Sequence, residues 1–411
     1  MVVVAAVLAS PLAAQSTQYV DPGSLGTAPL DRREALRTAV EEARWQAGPV
    51  RVEPWLSLRE VAWVEQADAD GRTSGDLTVS VGAGLAAYLP LGAHTTLAAQ
   101  VLPEYIWWRE REDESRLAGR YGAGAFVYGN HLALEILARS TDSDTVATPE
   151  LPRRVPVQDD RLEARVEVPF TRALALFARG ELGRYDTGDH DEVPELALLD
   201  RDDSWWIGGL RWSITPDLTL AAGAGASRAE FDEADALRSH RGTTTYGEVA
   251  WRRPKLDVSA ELFATELEAD GSTFPGVDDT FGSARVHWRP RETFGLGVYA
   301  LRALAWSIEP GRTGYVDRRW GAQLELHPGW RTSLYLFVEL GEQRYDDAAA
   351  PPRTDDVDSL GLGGSFELGR GLSLTARARR TRTENAALGL DRELTEVRAG
   401  IAFGRGGRGG F

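Results

Sequence analysis

The chain has 411 residues, a formal net charge of −16 and 26% charged residues. Such an acidic chain is a poor partner for nucleic acid. It contains no cysteine, which excludes disulfides, thiolate metal sites and cysteine nucleophiles. No stretch approaches the ~18 consecutive apolar residues of a membrane-spanning helix. A membrane location would therefore require a closed β-barrel.

The N-terminus begins with an apolar segment that ends in small residues, MVVVAAVLASPLAAQS. This pattern is typical of a secretory signal peptide and predicts cleavage after Ala14. We therefore assign residues 1–14 to a signal peptide, although the usual basic residues at its start are missing. The alternative is a short buried strand or helix.

Residues 15–49 contain a polar linker followed by a predicted helix, Asp31–Gln46. Asp31 and Glu34 resemble a capping box, and Leu36 and Val40 fall on one apolar face. This helix has two interpretations. It is a short periplasmic helix that engages a periplasmic partner, which we expect, or it is a plug inserted in a lumen.

From residue 50 to residue 411, polar and apolar residues alternate in about eighteen stretches, joined by turns that alternate between short and long. This rhythm is typical of transmembrane barrels, which have short periplasmic turns and long extracellular loops. A soluble sandwich or propeller has no reason to alternate its turns in this way. We predict an all-β fold, a transmembrane antiparallel up-and-down β-barrel of about 18 strands (16–18), with a short N-terminal helix.

One face of the predicted strands is charged, and the hairpin Arg161–Tyr185 is the clearest case. Successive side chains of a strand point to opposite faces, so a barrel places the apolar face against lipid and the charged face in a wet lumen. The lumen-lining candidates are Arg161, Glu163, Arg165, Glu167, Arg179, Glu181, Arg285, Arg289, Arg377 and Arg379. Arg302 is an exception because it shares a face with apolar residues, which predicts a bulge or a shift in register.

Tryptophans fall near the predicted strand ends rather than at strand centres. This placement predicts two aromatic belts, one at each membrane–water interface. The belt candidates are Trp63, Trp107, Trp206, Trp212, Trp251, Trp288, Trp306, Trp320 and Trp330.

The alternating strands, the turn pattern, the signal peptide and the aromatic C-terminus resemble those of bacterial outer-membrane β-barrel proteins. Phrases such as WLSLREVAW, VGAGLAAYLP and YGAGAFVYGN are most similar to the porin-2-like outer-membrane barrels. The resemblance implies a Gram-negative-type outer membrane, contact with its lipid and lipopolysaccharide, and insertion by the barrel assembly machinery. The implied assembly signal comprises Ile401, Phe403 and Phe411, although GRGGRGG interrupts the alternation before the last residue.

No arrangement of nucleophile, base and orienting group is visible, so we expect no enzyme activity, no catalytic residues and no cofactor. The acidic loops do not match the spacing of an EF-hand, and we expect no metal site. The first functional hypothesis is a porin-like channel for passive passage of small hydrophilic solutes. The alternatives are an outer-membrane component of an export system, for instance for polysaccharide, and a structural surface barrel with a closed lumen.

Overall fold

The computed structural model describes residues 20–26, 32–67, 73–188, 191–232, 238–270, 276–309, 312–345, 351–369, 371–385 and 388–404. The predicted signal peptide and Phe411 lie outside these residues. The described N-terminal part contains a 3₁₀ turn (Ser24–Gly26), helix α1 (Arg32–Glu42) and the short strand β1 (Trp45–Ala47). No helix in these ranges is long and apolar enough to span a membrane.

Eighteen longer strands follow. The first nine are β2 (Val50–Ala67), β3 (Thr73–Leu91), β4 (Thr95–Trp108), β5 (Arg116–Tyr128), β6 (Ala133–Thr145), β7 (Val155–Pro169), β8 (Leu174–Thr187), β9 (Arg201–Ser213) and β10 (Leu218–Phe231). The second nine are β11 (His240–Arg253), β12 (Leu256–Ala269), β13 (Val277–Arg291), β14 (Phe294–Trp306), β15 (Gly314–Gly329), β16 (Thr332–Tyr345), β17 (Arg353–Gly369), β18 (Leu372–Asn385) and β19 (Leu390–Phe403). Short 3₁₀ helices at Glu112–Glu114 and Pro194–Leu199 lie in two of the connections.

Strands β2 to β19 form one closed antiparallel sheet. Each strand pairs with its neighbours in the chain, and β19 pairs with β2, with Val397 opposite Trp63. The connections alternate between short turns, such as residues 254–255, and longer loops, such as residues 188–200. The predicted 18-stranded up-and-down barrel with a short N-terminal helix is therefore confirmed.

The two faces of the barrel wall differ in polarity, as the strand alternation requires. In the hairpin β7–β8, the apolar side chains Leu162, Leu176 and Leu182 point outwards and are 44%, 54% and 58% exposed. Their neighbours Arg161 and Arg179 point inwards and are buried. An apolar outer wall around a polar interior is the arrangement that a lipid bilayer demands.

Arg302 lies on the outer wall with no bulge between it and Leu296, because β14 is in continuous register with both β13 and β15 over that stretch. The register shift between β13 and β14 lies at the short turn, beyond Trp288. Its neighbour on the same face, Ala300, pairs with Trp320, whose ring is on the barrel exterior. Arg302 therefore lies beyond the aromatic level, on the long-loop side, where its guanidinium pairs with Asp279. Similar outward ion pairs at this end are Arg318–Glu342, Arg382–Asp391 and Arg184–Asp232. We call these pairs the outer collar.

Helix α1 lies inside the barrel mouth, which corrects the expected periplasmic position. Leu36 is 6% exposed and packs in a cluster with Trp55 and Phe126 of the inner wall. Arg32 donates to Glu135 at 3.0 Å and to Glu163 at 3.1 Å, again on the inner wall. The apolar face of the helix needs an apolar partner, and the wall of the lumen supplies one.

The predicted helix also ends earlier than expected. It stops at Glu42, and β1 (Trp45–Ala47) pairs with the start of β2. The turn between them uses Gly48 at a positive φ of 62°, a conformation that glycine adopts without steric cost.

We predict that an arginine on the outer wall destabilises the barrel according to its depth. Leu336 and Leu340 share the outer face of β16 and are 46% and 45% exposed, but Leu340 pairs with the belt residue Trp320. Leu336→Arg is expected to cost about 2–4 kcal/mol and Leu340→Arg about 0–1 kcal/mol. Equilibrium unfolding by urea in lipid vesicles measures both. Equal costs would contradict the assigned depths of these two residues in the membrane.

Candidate functional site

The ten predicted lumen-lining residues all lie on the inner face of the wall. Arg161 has two close partners, since its guanidinium contacts Asp159 at 2.5 Å and Glu181 at 2.6 Å. Glu163 accepts from Arg32 of helix α1 and lies 3.2 Å from Arg139. Because these partners come from β6, β7, β8 and the helix, the structure joins charges that are distant in the sequence.

Two luminal arginines face each other directly. Arg165 of β7 is opposite Arg179 of β8 in the strand register, and like charges in that position destabilise a sheet. Their nearest carboxylates are loose: Glu135 lies 4.0 Å from Arg165 and Glu261 lies 3.8 Å from Arg179. The Arg165 side chain is 38% exposed to the lumen. This wall therefore presents positive charge that its own carboxylates compensate only weakly.

Arg285 and Arg289 lie towards the short-turn end of the lumen. Arg285 donates to Ser259 at 3.0 Å, and Arg289 is half exposed and lies 3.8 Å from Glu325. Between them His287 is buried and lies 3.3 Å from the same carboxylate of Glu325. The group forms a charged rim at the short-turn end of the barrel, which is the periplasmic end.

Arg377 and Arg379 of β18 contact the N-terminal residues that lie inside the barrel. Arg377 donates to the carbonyl oxygen of Pro22 at 3.2 Å. Arg379 lies 2.9 Å from the carboxylate of Asp21 and also pairs with Glu396 of β19. These two arginines therefore hold part of the chain itself within the lumen.

An aromatic wall inside the barrel was not predicted from the sequence. Phe177, Tyr246, Phe263, Phe281 and Tyr299 are buried on the inner faces of β8, β11, β12, β13 and β14 and belong to one apolar cluster. The guanidinium of Arg179 lies 4.4 Å from the ring centre of Tyr246, a cation–π distance. The sequence did contain a signal for this wall, because in each strand the ring occupies the same face as the charged residues.

The loop of residues 146–154 folds into the barrel and crosses the lumen. At one end Glu150 accepts from Ser307 Oγ at 2.6 Å and from the backbone N–H of Ile308 at 2.7 Å. At the other end Arg154 donates to Glu396 at 2.7 Å and to Glu60 at 2.9 Å. We call residues 146–154 the crossing loop. The sequence gives no local signal for it, since its partners belong to distant strands and loops.

The pKa values of Glu150 and Arg154, the two residues that anchor the crossing loop, are both shifted. Burial raises the pKa of the Glu150 carboxyl, against the two hydrogen bonds that it accepts. For Arg154, burial opposes the charge, but Glu396 and Glu60 outweigh it and raise the pKa of the guanidinium. The Arg154 contacts therefore persist as an ion-pair triad, and such buried triads are strongly destabilised when one member is removed.

Eight of the nine predicted belt tryptophans lie exposed on the outer wall. On the short-turn side these are Trp212, Trp251, Trp288 and Trp330, and on the long-loop side Trp63, Trp107, Trp206 and Trp320. Trp306 was predicted wrongly, because it is only 2% exposed and packs inside against Phe231 and His240. Both faces of β14 are buried at its end, from Ala303 to Trp306, and Trp306 belongs to the apolar cluster inside the barrel.

Two of the three predicted assembly-signal residues, Ile401 and Phe403, are exposed on the outer wall at the end of β19. Phe411 lies outside the described residues. In the described ranges, no group of three or more His, Asp or Glu side chains is arranged to hold a metal ion.

Comparison with known proteins identifies the fold. No protein-family model matches the chain, and no curated protein matches it significantly. Among solved structures, it is similar to Pseudomonas aeruginosa OpdK with vanillate, with a TM-score of 0.52, 11% identity, and coverage of 86% of this chain and 98% of that chain. Pseudomonas aeruginosa OccK2 (OpdF) in complex with glucuronate gives 0.51, 12%, 86% and 98%. Acinetobacter baumannii OccAB3 gives 0.50, 11%, 86% and 98%.

These neighbours are outer-membrane porins, and at such low identities the likeness establishes the fold alone. The chain is an outer-membrane β-barrel with the porin fold. The apolar outer wall, the two levels of exposed tryptophan and the charged lumen agree with that location.

We predict that Glu150 holds the crossing loop in place. Glu150→Ala removes two buried hydrogen bonds to a carboxylate, each worth about 1.5–3 kcal/mol. Trypsin cleavage after Arg153 is therefore expected to accelerate by at least about tenfold. The matched control is Glu195→Ala, since Glu195 is an exposed carboxylate outside the crossing loop. An unchanged cleavage rate in Glu150→Ala would contradict this anchor.

Proposed function

We propose that the barrel is a passive outer-membrane channel for small hydrophilic solutes. One observation supports this function above the others: a wall that is apolar outside carries charged, partly exposed side chains such as Arg165 and Glu167 inside. Charges of both signs across a narrow lumen set up a transverse field, which screens solutes by size and charge. The polar lining replaces part of the hydration shell of a passing solute.

We further propose small carboxylates as the preferred solutes. The opposed arginines Arg165 and Arg179 leave positive charge that the loosely placed Glu135 and Glu261 compensate weakly. Arginine matches the geometry of a carboxylate through two parallel N–H donors. Two of the structural neighbours are in complex with glucuronate or vanillate, which are both carboxylates. The likeness to those proteins supports this choice of class.

A structural barrel with a closed lumen is the second candidate. It is favoured by the crossing loop and by the N-terminal residues that occupy the lumen. Planar-bilayer conductance separates the two candidates, because a closed barrel is electrically silent and a channel is not.

The finer relationships of the chain are also part of the proposal. We place it with the porin-2-like barrels on the phrases WLSLREVAW and VGAGLAAYLP. We propose lipopolysaccharide as the neighbour of the outer collar and the barrel assembly machinery as the partner that inserts the protein, with Ile401 and Phe403 in the assembly signal. Helix α1 is proposed as a part of the lumen rather than a docking site for a periplasmic partner. We propose that the barrel has no enzyme activity.

We predict that Arg165→Gln weakens anion selectivity. Removing one positive charge from a wet lumen changes the energy of a passing anion by about 1 kcal/mol at close approach. The ratio of anion to cation permeability is therefore expected to fall by about two- to fivefold. The reversal potential of the purified protein in a planar bilayer under a salt gradient measures the ratio.

The matched control for selectivity is Arg184→Gln. Arg184 belongs to the outer collar, outside the lumen, and its side chain is 51% exposed. Its loss should leave the reversal potential unchanged. Equal shifts in both variants would count against Arg165 as a luminal filter, and an electrically silent protein would reject the channel function itself.

A further inference from the structure

The N-terminal residues Val20–Gly26, which we call the luminal arm, fit closely against the inner wall. Gly23 has a positive φ of 77°, and a Cβ atom there would lie 2.7 Å from the Phe337 ring. A Cβ atom on the wall residue Gly297 would lie 2.5 Å from the carbonyl oxygen of Gly26. The arm and the wall thus approach each other where both have glycine, which is the residue that permits such an approach.

Three arginines of the wall hold the first residues of the arm. The contacts are Arg319 Nη1 to Val20 O at 2.7 Å, Arg377 Nη2 to Pro22 O at 3.2 Å and Arg379 Nη1 to Asp21 Oδ1 at 2.9 Å. The arm therefore offers a carboxylate and two carbonyl oxygens to guanidinium groups on β15 and β18. These are the acceptors that arginine also seeks in an acidic ligand.

Arg377 depends on the arm more than the other two arginines do. Arg319 and Arg379 also pair with carboxylates of the wall, Glu339 and Glu396. Among the described residues, the contacts of Arg377 are the Pro22 carbonyl oxygen and the Phe337 ring, 6.0 Å away.

Arg377 also faces Arg398 directly in the strand register, an unfavourable pairing of like charges. Without the arm, this part of the wall carries positive charge beside an aromatic ring.

The charge of Asp21 is stabilised in this position. Burial opposes it, but Arg379 and then Arg377 and Arg398 outweigh burial and lower the pKa of the carboxyl from its ordinary value of 3.8. With the folded pKa lowered, the contact is fully present above the ordinary pKa and is lost only as the pH falls through the lowered value. At neutral pH the arm presents an ionised carboxylate to the wall.

We propose that the luminal arm is a built-in competitor of small carboxylates: the Asp21 carboxylate at Arg379 and the Pro22 carbonyl oxygen at Arg377 occupy the place of a solute carboxylate, and a solute that binds there releases the arm. This inference rests on the proposed function and concerns how solute binding in the lumen is regulated. A solute that binds only the arm-free state shifts the protein towards that state. By linkage, the docked arm weakens solute binding by the same factor.

The test uses the absence of cysteine from the chain. Ser24→Cys places a unique thiol on the arm of the full-length protein in lipid vesicles, and a maleimide reagent reports its accessibility. Benzoate is expected to raise the labelling rate by about tenfold, within the usual range of coupling between sites. Benzyl alcohol, its neutral analogue, and chloride at equal ionic strength should leave the rate unchanged. Without benzoate, the labelling rate divided by that of the same variant unfolded in urea should be flat between about pH 5 and 8, since the division removes the pH dependence of thiolate formation.

A second variant separates release of the arm from general loosening. With Arg377→Gln added to Ser24→Cys, labelling should be fast from the start and insensitive to benzoate, whereas adding Arg184→Gln in the outer collar should change neither property. A labelling rate that ignores benzoate, or that responds equally to chloride, would overturn the proposal. Labelling needs no ion flow, so a barrel that responds to benzoate but conducts nothing would reject the channel and retain the arm.

A third measurement needs no cysteine variant and is used if Ser24→Cys fails to fold, as judged by loss of β-sheet circular dichroism. Asp21→Asn in the otherwise natural chain should tighten benzoate binding by about fivefold, since the competitor loses its charge. Glu41→Gln is the matched control, because Glu41 is on the exposed side of helix α1 and 67% accessible. Calorimetric titration measures both, and an unchanged affinity in Asp21→Asn would also overturn the proposal.

Discussion

The structure depends on one constraint: a sheet in a lipid bilayer must leave no backbone N–H or C=O group without a partner. Pairing of β19 with β2 meets this condition by removing both edges of the sheet. Closure then determines the environment of every side chain in the wall. Because successive side chains point to opposite faces, every second residue of a strand faces lipid and the others face the interior.

Closure also explains why charges are so dense inside the barrel. An inner surface made from every second residue of eighteen strands brings arginines from neighbouring strands face to face, as at Arg165 and Arg179 or at Arg377 and Arg398. Such pairs are stable only when counter-charges, water or acceptor groups lie nearby. Strand carboxylates supply some of the counter-charges, namely Glu261 beside Arg179 and Glu396 beside Arg398. The luminal arm supplies an acceptor, the Pro22 carbonyl oxygen, to Arg377.

The wall was predictable from the sequence because its signals are local. Alternation with period 2 and the alternating turn lengths require only short stretches of chain, and they indicated the strands, the two faces and eight of the nine belt tryptophans. The contents of the lumen were not predictable, since their partners are far away in the sequence. Trp306 has the sequence position of a belt residue, but it is buried inside the barrel. Leu36 marks an apolar face of the helix, but the sequence does not show which residues cover that face. For Arg302 the pattern alone was misleading. A charged residue on the apolar face suggested a bulge, but Trp320 marks the membrane interface and Arg302 lies beyond it.

The crossing loop and the luminal arm differ in what holds them. The crossing loop is fixed by Arg154, whose side chain is 3% exposed and sits between Glu60 and Glu396. Removing one member of such a buried group costs about 3–5 kcal/mol. The luminal arm is held by hydrogen bonds from Arg319 and Arg377 to its carbonyl oxygens and by one from the Gly23 N–H to Glu339 at 3.3 Å. Leu25 is buried in the apolar cluster, and Asp21, whose side chain is 39% exposed, forms an ion pair with Arg379. A solute carboxylate can replace the acceptors that the arm offers to Arg377 and Arg379, but it cannot replace the buried triad of Arg154, Glu60 and Glu396. In the proposed competition the arm is therefore the part that a solute displaces, and the crossing loop stays in place.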